Sequence, residues 1–260
     1  EESIIKCFLE KGDVYQINYT YPKLFNSNTN PFELYHHLRK TARPQYGWFL
    51  DLKSVNILSF SPERFFQVSN GRIVTSPIKG TRERSLNQNQ DRELANELFQ
   101  SKKDRAEHLM IVDLLRNDLG KICEFGSINV KDLYNVKSFE TVHHMVTEID
   151  GYLKKNICEL DIISSMFPGG SITGAPKERA MQIIDSLENY SRGIYTGTIG
   201  YITTKGDMDF NIAIRTMTVK DNNAIYPVGG GIVWDSKAEE EWNETNTKTK
   251  ILNDIIEKNN

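Results

Sequence analysis

Asn70-Gly71 stands between the apolar runs Phe66-Gln67-Val68 and Ile73-Val74. An Asn-Gly pair readily takes the positive φ values of a tight hairpin turn, and that turn's twist matches the strands it joins. The pair therefore predicts antiparallel strands here, and the flanking sequence continues the pattern. Tyr46 to Asp51, Asn56 to Phe60 and Arg64 to Val68 are short aromatic and β-branched runs, parted by Lys53-Ser54 and Ser61-Pro62-Glu63. Val14 to Tyr21 reads as an earlier strand. Thr196 to Thr204, Phe210 to Val219 and Ala224 to Val228 read as later ones, joined at Lys205-Gly206-Asp207 and Asp221-Asn222-Asn223. Further strands are expected between Ile122 and Tyr152, including Val142 to Ile149.

Helical spacing occupies the remainder. Ser3 to Lys11 carries Ile4, Ile5, Phe8 and Leu9 and stops at Gly12; Pro31 to Lys40 has Asn30 as a cap and proline at its first position. Asp91 to Leu119 is the longest helical pattern, Leu160 to Met166 a brief helix, and Pro176 opens another that continues from Lys177 to Leu187. Ser236 is expected to cap a closing helix reaching about Glu257. Strand meanders interrupted by a few helices, without regular βα alternation, predict an α+β protein: antiparallel sheets with helices outside. One domain over residues 1–260 is expected.

Net charge of −3 gives no basic field for nucleic acid, and no basic amphipathic helix advertises a membrane surface. No apolar run approaches the roughly 20 residues of a membrane span. Cys7, Cys123 and Cys158 form no CxxC, which argues against a disulfide framework or a zinc site. Small molecules or proteins are the expected partners and the cytoplasm the expected compartment. Glu1-Glu2-Ser3 is not a signal peptide. So abrupt a start in helix-like sequence suggests a fragment.

Several groups could carry chemistry. Lys79 lies in Ser76-Pro77-Ile78-Lys79-Gly80-Thr81-Arg82, a polar loop signal in which proline fixes its own φ and glycine permits a tight turn. It is either a solvated loop lysine or an amine acting as nucleophile or base. Asp104 with Glu107, and Glu241 with Glu244, are carboxylate pairs three residues apart, each on one helix face. They are either solvated faces or, brought together, a site for Mg²⁺, which takes oxygen ligands. Gly169 to Lys177 resembles a phosphate loop, but Ala175-Pro176 before Lys177 removes a needed amide. What remains is a turn into a helix N-terminus, suited to a carboxylate or merely a cap. His143 and His144 lie on opposite faces of one strand, as satisfied structural histidines or as site residues. Arg215 follows Ile212-Ala213-Ile214 inside an apparently apolar strand, where a guanidinium would need an anion. Gly229-Gly230-Gly231 allows close approach of backbone amides to a ligand.

Taken in order, these stretches and others resemble the chorismate-utilising enzymes, and within that family the aminodeoxychorismate synthase component I (para-aminobenzoate synthase component I) branch, related to anthranilate synthase component I. The resemblance runs from Gly12-Asp13-Val14-Tyr15-Gln16-Ile17-Asn18 through Ser61-Pro62-Glu63-Arg64-Phe65, the Lys79 segment, Ala106-Glu107-His108-Leu109-Met110-Ile111-Val112-Asp113-Leu114 and Arg116-Asn117-Asp118-Leu119. It continues through Gly174-Ala175-Pro176-Lys177, Ile214-Arg215-Thr216, Gly229-Gly230-Gly231-Ile232-Val233 and Glu241-Trp242-Asn243-Glu244-Thr245. It implies a sandwich of large antiparallel sheets with helices outside, and Mg²⁺ held by Glu107 and Glu244 with Asp104 and Glu241 supporting through water. The metal would hold the ring carboxylate of chorismate. Tyr195 and Arg215, with amides near Gly231, would hold the enolpyruvyl carboxylate, while Ser171, His144 and Lys248 line the site. Glu63 takes the general acid/base position.

The resemblance also makes finer distinctions. The position matching Gln16 is a water-activating lysine in isochorismate and salicylate synthases, so glutamine disfavours those activities. Lys79 stands where anthranilate synthases typically have alanine, which implies a covalent lysine adduct and 4-amino-4-deoxychorismate as product, in p-aminobenzoate and folate biosynthesis. Ammonia is expected from a separate glutamine amidotransferase subunit or from solution. Anthranilate formation and a noncatalytic chorismate-binding fragment are the alternatives. Two departures stand out: Glu83 replaces a frequent proline, and the resemblance implies an additional N-terminal region before the catalytic half with which this sequence begins.

Overall fold

A computed structural model describes residues 2–140 and 142–252. In chain order the elements are α1 (Glu2–Glu10), β1 (Gln16–Asn26), α2 (Pro31–Ala42), β2 (Tyr46–Asp51), β3 (Asn56–Ser61), β4 (Arg64–Ser69) and β5 (Arg72–Thr75). There follow β6 (Ile78–Glu83), α3 (Gln88–Gln100), α4 (Lys102–Ile122), β7 (Asn129–Ser138), β8 (Val142–Tyr152), α5 (Glu159–Met166), β9 (Gly174–Ala175) and α6 (Lys177–Leu187). The last are β10 (Thr198–Ile202), β11 (Met208–Ile212), β12 (Thr216–Lys220), β13 (Asn223–Val233) and α7 (Ala238–Lys248). The expected α+β class is what these elements form, in two compact units that each draw on separate stretches of chain.

The first unit comprises Glu1–Glu63, Pro168–Ile199 and Asn211–Asn260. Its sheet runs β2-β3-β12-β13-β1-β9, with antiparallel pairings. β1 continues beyond Tyr21, where its reading from sequence stopped, because Pro22 lies opposite Pro227 and the two missing N–H donors fall at one rung. Leu34 and Leu38 of α2 pack with Leu58, Phe60, Met217 and Tyr226, and Ile5 and Leu9 of α1 with Ile17, Ala180 and Ile183. Each such fully buried side chain contributes on the order of 1.5–3 kcal/mol. Asn30 caps α2 as expected, its side chain accepting from the N–H of Phe32 (2.9 Å). Ser236 does not cap α7: its Oγ accepts the Val233 N–H at 3.1 Å and its carbonyl accepts Lys6 Nζ at 2.7 Å, leaving Lys237 at the cap position. The helical sequence expected from 253 to Glu257 lies outside the described residues.

Gly174 is demanded by close packing. It stands at φ +142°, and a Cβ there would meet the Gln16 carbonyl oxygen at 2.1 Å. Gly174→Ala is therefore expected to cost at least about 2–3 kcal/mol, read as a lowered urea midpoint, because both dihedral and space refuse the methyl group.

The second unit comprises Arg64–Phe167 and Gly200–Phe210. Its sheet has the order β10-β11-β4-β5-β8-β6, with β7 also on β8. Asn70 (φ 51°) and Gly71 (φ 73°) make the hairpin turn between β4 and β5 that their sequence predicts. The helical pattern from Asp91 to Leu119 is two helices rather than one, broken at Ser101, whose Oγ accepts the Asp104 N–H (3.2 Å) and starts α4. α4 then buries His108, Ile111, Val112, Leu115, Leu119 and Ile122 on one face. Cys123 is buried and its thiol is pushed up to about 11, chiefly by desolvation, whereas Cys7 and Cys158 are exposed. A thiol reagent at neutral pH is expected to label Cys7 and Cys158 in the folded protein, and Cys123 only after unfolding. Among the described residues no helix is long and apolar enough to cross a membrane.

Candidate active site

The candidate residues divide between the units. In the second, the segment expected as a loop around Lys79 is mostly strand: β6 pairs antiparallel with β8, Lys79 opposite Met145 and Thr81 opposite His144, and the register slips at Gly80. Gly80 sits at φ +69°, and a Cβ on it would come within 2.6 Å of Leu98 and 3.0 Å of Asp104 Oδ1. Glycine is thus required for the bulge, and the glycine read as a turn signal turns out to bend a strand. Asp104 lies against this bulge and accepts from Arg82 (3.2 Å), while His144 Nδ1 is 3.1 Å from Thr81 Oγ1 and 3.3 Å from the Gly80 carbonyl. Lys79, Asp104 and His144 therefore flank one distortion, with Glu107 half-buried almost one turn further along α4.

The two histidines of β8 separate as strand alternation requires. His143 is the structural one, buried between Ser138 Oγ (2.9 Å) and Asp91 Oδ1 (3.0 Å). Sequence reading gave no weight to His108, which is fully buried on α4. Its Nε2 lies 2.7 Å from Thr147 Oγ1 and its Nδ1 has no partner among the described residues. Burial, and after it the charge of Lys79, lower its pKa to about 4, so the ring is neutral at pH 7.

In the first unit Glu63 is 8 % exposed and its backbone is fixed on both sides. Its N–H donates to Ser61 Oγ (3.2 Å) and its carbonyl accepts from the Ile212 N–H (3.1 Å). Gln16 is fully buried, and both polar atoms of its amide lack a partner among the described residues. It packs on Gly231, where a Cβ would meet Gln16 Nε2 at 3.0 Å. Such an orphaned amide points to a ligand or water. Ser171 is half-buried on a 3₁₀ turn, Gly170–Ile172. Tyr195 is buried, and desolvation, then neighbouring Tyr190 and Tyr226, hold its hydroxyl well above the ordinary phenol range.

Arg215 is not the buried strand residue its neighbours implied. The run from Phe210 to Val219 breaks into β11 and β12, and Arg215 sits between them at φ +49°, exposed. Its carbonyl still accepts the Phe60 N–H (3.0 Å), so the backbone is ordered, and an exposed side chain does not demand the internal anion that a buried one would.

On α7, Lys248 bonds Glu244 (2.6 Å) and the Gly229 carbonyl (2.8 Å). A Cβ on Gly230 would fall 3.3 Å from Glu241 Oε2 and 4.0 Å from Glu244 Oε1, so the bare glycine leaves room for both carboxylates. Beside them a cavity of about 370 Å³ is lined by Tyr19, Tyr21, Glu241, Trp242 and Thr245. Tyr21 and Trp242 stack at 5.6 Å. Among the described residues no group of three or more His, Cys, Asp or Glu side chains converges.

The family described as chorismate binding enzyme matches residues 3–254. Anthranilate synthase component 1 of Aquifex aeolicus is 41% identical over 254 residues, covering 97% of this chain and 51% of that protein. Aminodeoxychorismate synthase component 1 of Salmonella typhimurium is 44% identical over 248 residues, covering 95% and 55%. Among solved structures, anthranilate synthase component I from Streptococcus pneumoniae superposes with a TM-score of 0.88 at 37% identity, covering 96% of this chain and 56% of that one. The chain spans about half the length of the curated relatives it matches. By matched length and by identity, this chain belongs to the chorismate-binding enzymes.

Proposed function

We propose that the chain is the chorismate-handling part of an aminodeoxychorismate-forming enzyme. The observation that carries this is Lys79, half-buried at the Gly80 bulge with Asp104 and His144 beside it. A lysine on a strand bulge, and not on a free loop, supports reading its amine as the nucleophile. The Lys79 amine attacks C2 of chorismate, both ring double bonds shift (C1=C2 to C1=C6 and C5=C6 to C4=C5), and the C4–O bond breaks as Glu63 gives its proton to the departing hydroxyl, which leaves as water. Ammonia then adds at C4, both double bonds shift back to C5=C6 and C1=C2, and the C2–N bond to Lys79 breaks. Glu63 recovers a proton from the new ammonium centre. The sum is chorismate plus ammonia giving 4-amino-4-deoxychorismate plus water.

Tyr195 and Arg215 hold the enolpyruvyl carboxylate with amides near Gly231, while Ser171, His144, Lys248 and Gln16 line the substrate. Exposure of Arg215 suits a cation that pairs with a ligand rather than with the protein. The acidic pairs suit Mg²⁺ in donor chemistry, being hard oxygen ligands, and Gly230 leaves space beside Glu241 and beside Glu244, the latter paired with Lys248. Glu107 and Glu244 would hold it, with Asp104 and Glu241 supporting. When bound it supplies positive charge for the ring carboxylate. Ammonia comes from a separate glutamine amidotransferase subunit or from solution.

Incubation with chorismate, Mg²⁺ and an ammonium salt, followed by chromatography and mass spectrometry, is expected to yield the amino-deoxychorismate. Anthranilate with pyruvate as the only products would replace this proposal by its nearest alternative. Chorismate binding without turnover would leave a binding role alone.

A further inference from the structure

Arg192 carries no candidate role in the chemistry above, yet its guanidinium joins segments that do. It donates to both carboxylate oxygens of Glu188 (2.6 and 2.7 Å), to the carbonyl of Ile172 (3.0 Å) and to the carbonyl of Asn18 (2.7 Å). It also reaches Thr196 Oγ1 at 3.4 Å. Glu188 accepts in turn from the N–H and the hydroxyl of Thr20, each at 2.8 Å, and Tyr190 lies 2.6 Å from the same hydroxyl. The Glu188 side chain is 3% exposed and that of Arg192 15%.

The acceptors come from different stretches. Asn18 is on β1, two residues from Gln16 and its orphaned amide. Ile172 belongs to the turn that carries Ser171. The Tyr195 N–H donates to the Arg192 carbonyl (3.0 Å), and Thr196 holds a left-handed φ of 62° directly after it. Three ligand-facing candidates are therefore hung from one planar fork. A guanidinium can satisfy a carboxylate and two carbonyls at fixed angles; an ammonium cannot hold all of them.

We propose that Arg192, oriented by Glu188, is a positioning residue for substrate binding. It fixes Ser171 and Tyr195 against β1 as a preformed cradle for the carboxylate end of the substrate, and does not itself touch that substrate. The proposal rests on the assignment of Tyr195, Ser171 and Gln16 as substrate contacts.

The test compares the full chain with Arg192→Lys and Glu188→Gln, by steady-state kinetics with chorismate and by amide hydrogen exchange of the unliganded proteins. Arg192→Lys is expected to raise the chorismate KM about tenfold or more with kcat within about threefold, because binding geometry is lost while the reacting groups remain. Exchange at 171–173 and 194–197 should quicken by about tenfold while α2 and β3 are unchanged. Glu188→Gln should shift both readouts the same way, by less. Unchanged KM with unchanged exchange overturns the proposal, as does a lowered melting temperature with KM unmoved. Failure of both variants to fold assigns the pair to the core and also overturns it. If the unaltered chain neither binds nor turns over chorismate, the functional assignment fails separately, and hydrogen exchange still decides whether Arg192 orders these segments.

Discussion

Lys79→Ala is expected to lower formation of the amino product by at least about 10³-fold, a loss of roughly 4 kcal/mol of transition-state stabilisation. The variant removes the atom that bonds to C2, so no neighbouring group can take over its part. It should leave the fold intact. Lys79 is only half-buried, and the strand that carries it is held by backbone pairing to β8 and by the fit of Gly80 beside Asp104 and Leu98, none of which needs the lysine side chain. Chorismate binding should persist, since the residues assigned to the carboxylates are elsewhere. A stable variant with full turnover would remove the lysine from the mechanism.

Glu63→Gln is expected to cost about 10²–10⁴ in kcat, the range for loss of a positioned general acid. Glutamine keeps the volume and the backbone hydrogen bonds of Glu63 with Ser61 and Ile212. Any loss therefore falls on proton transfer and not on the turn. Chorismate KM should change by less than about threefold. A large rise in KM with kcat retained would make Glu63 a binding residue instead.

Local signals carried much of the fold. Asn70-Gly71 specifies its turn by dihedral preference alone, and Asn30-Pro31 specifies a helix start by capping alone, so both are legible without tertiary context. The break at Ser101 was legible in principle, as a serine with Asp104 three residues on, but lay hidden inside an amphipathic pattern that continues across it. The Gly80 bulge was not legible, because a glycine three residues after a proline signals a turn equally well and only pairing with β8 decides. Arg215 misled for the same reason: its place outside the strands follows from a left-handed φ that no neighbouring residue encodes.

Site chemistry divides along similar lines. The paired acids stand out as candidates by type and spacing, whereas Glu63 is singled out only by the family resemblance. Arg192, Glu188 and His108 could not be picked out, since their partners Asn18, Ile172, Thr20 and Thr147 are distant in sequence and become neighbours only in the folded chain. The aromatic pair Tyr21 and Trp242 beside Glu241 escaped notice for that reason too.

Covalent use of Lys79 is open to direct measurement. The protein is mixed with chorismate and Mg²⁺ without any ammonium source, quenched in acid, and its intact mass and proteolytic peptides are determined. The expected result is a mass gain equal to chorismate less one water, located on the peptide containing Lys79 and absent from Lys79→Ala. An unmodified Lys79 peptide in a preparation that forms amino-deoxychorismate once ammonium is added would contradict it.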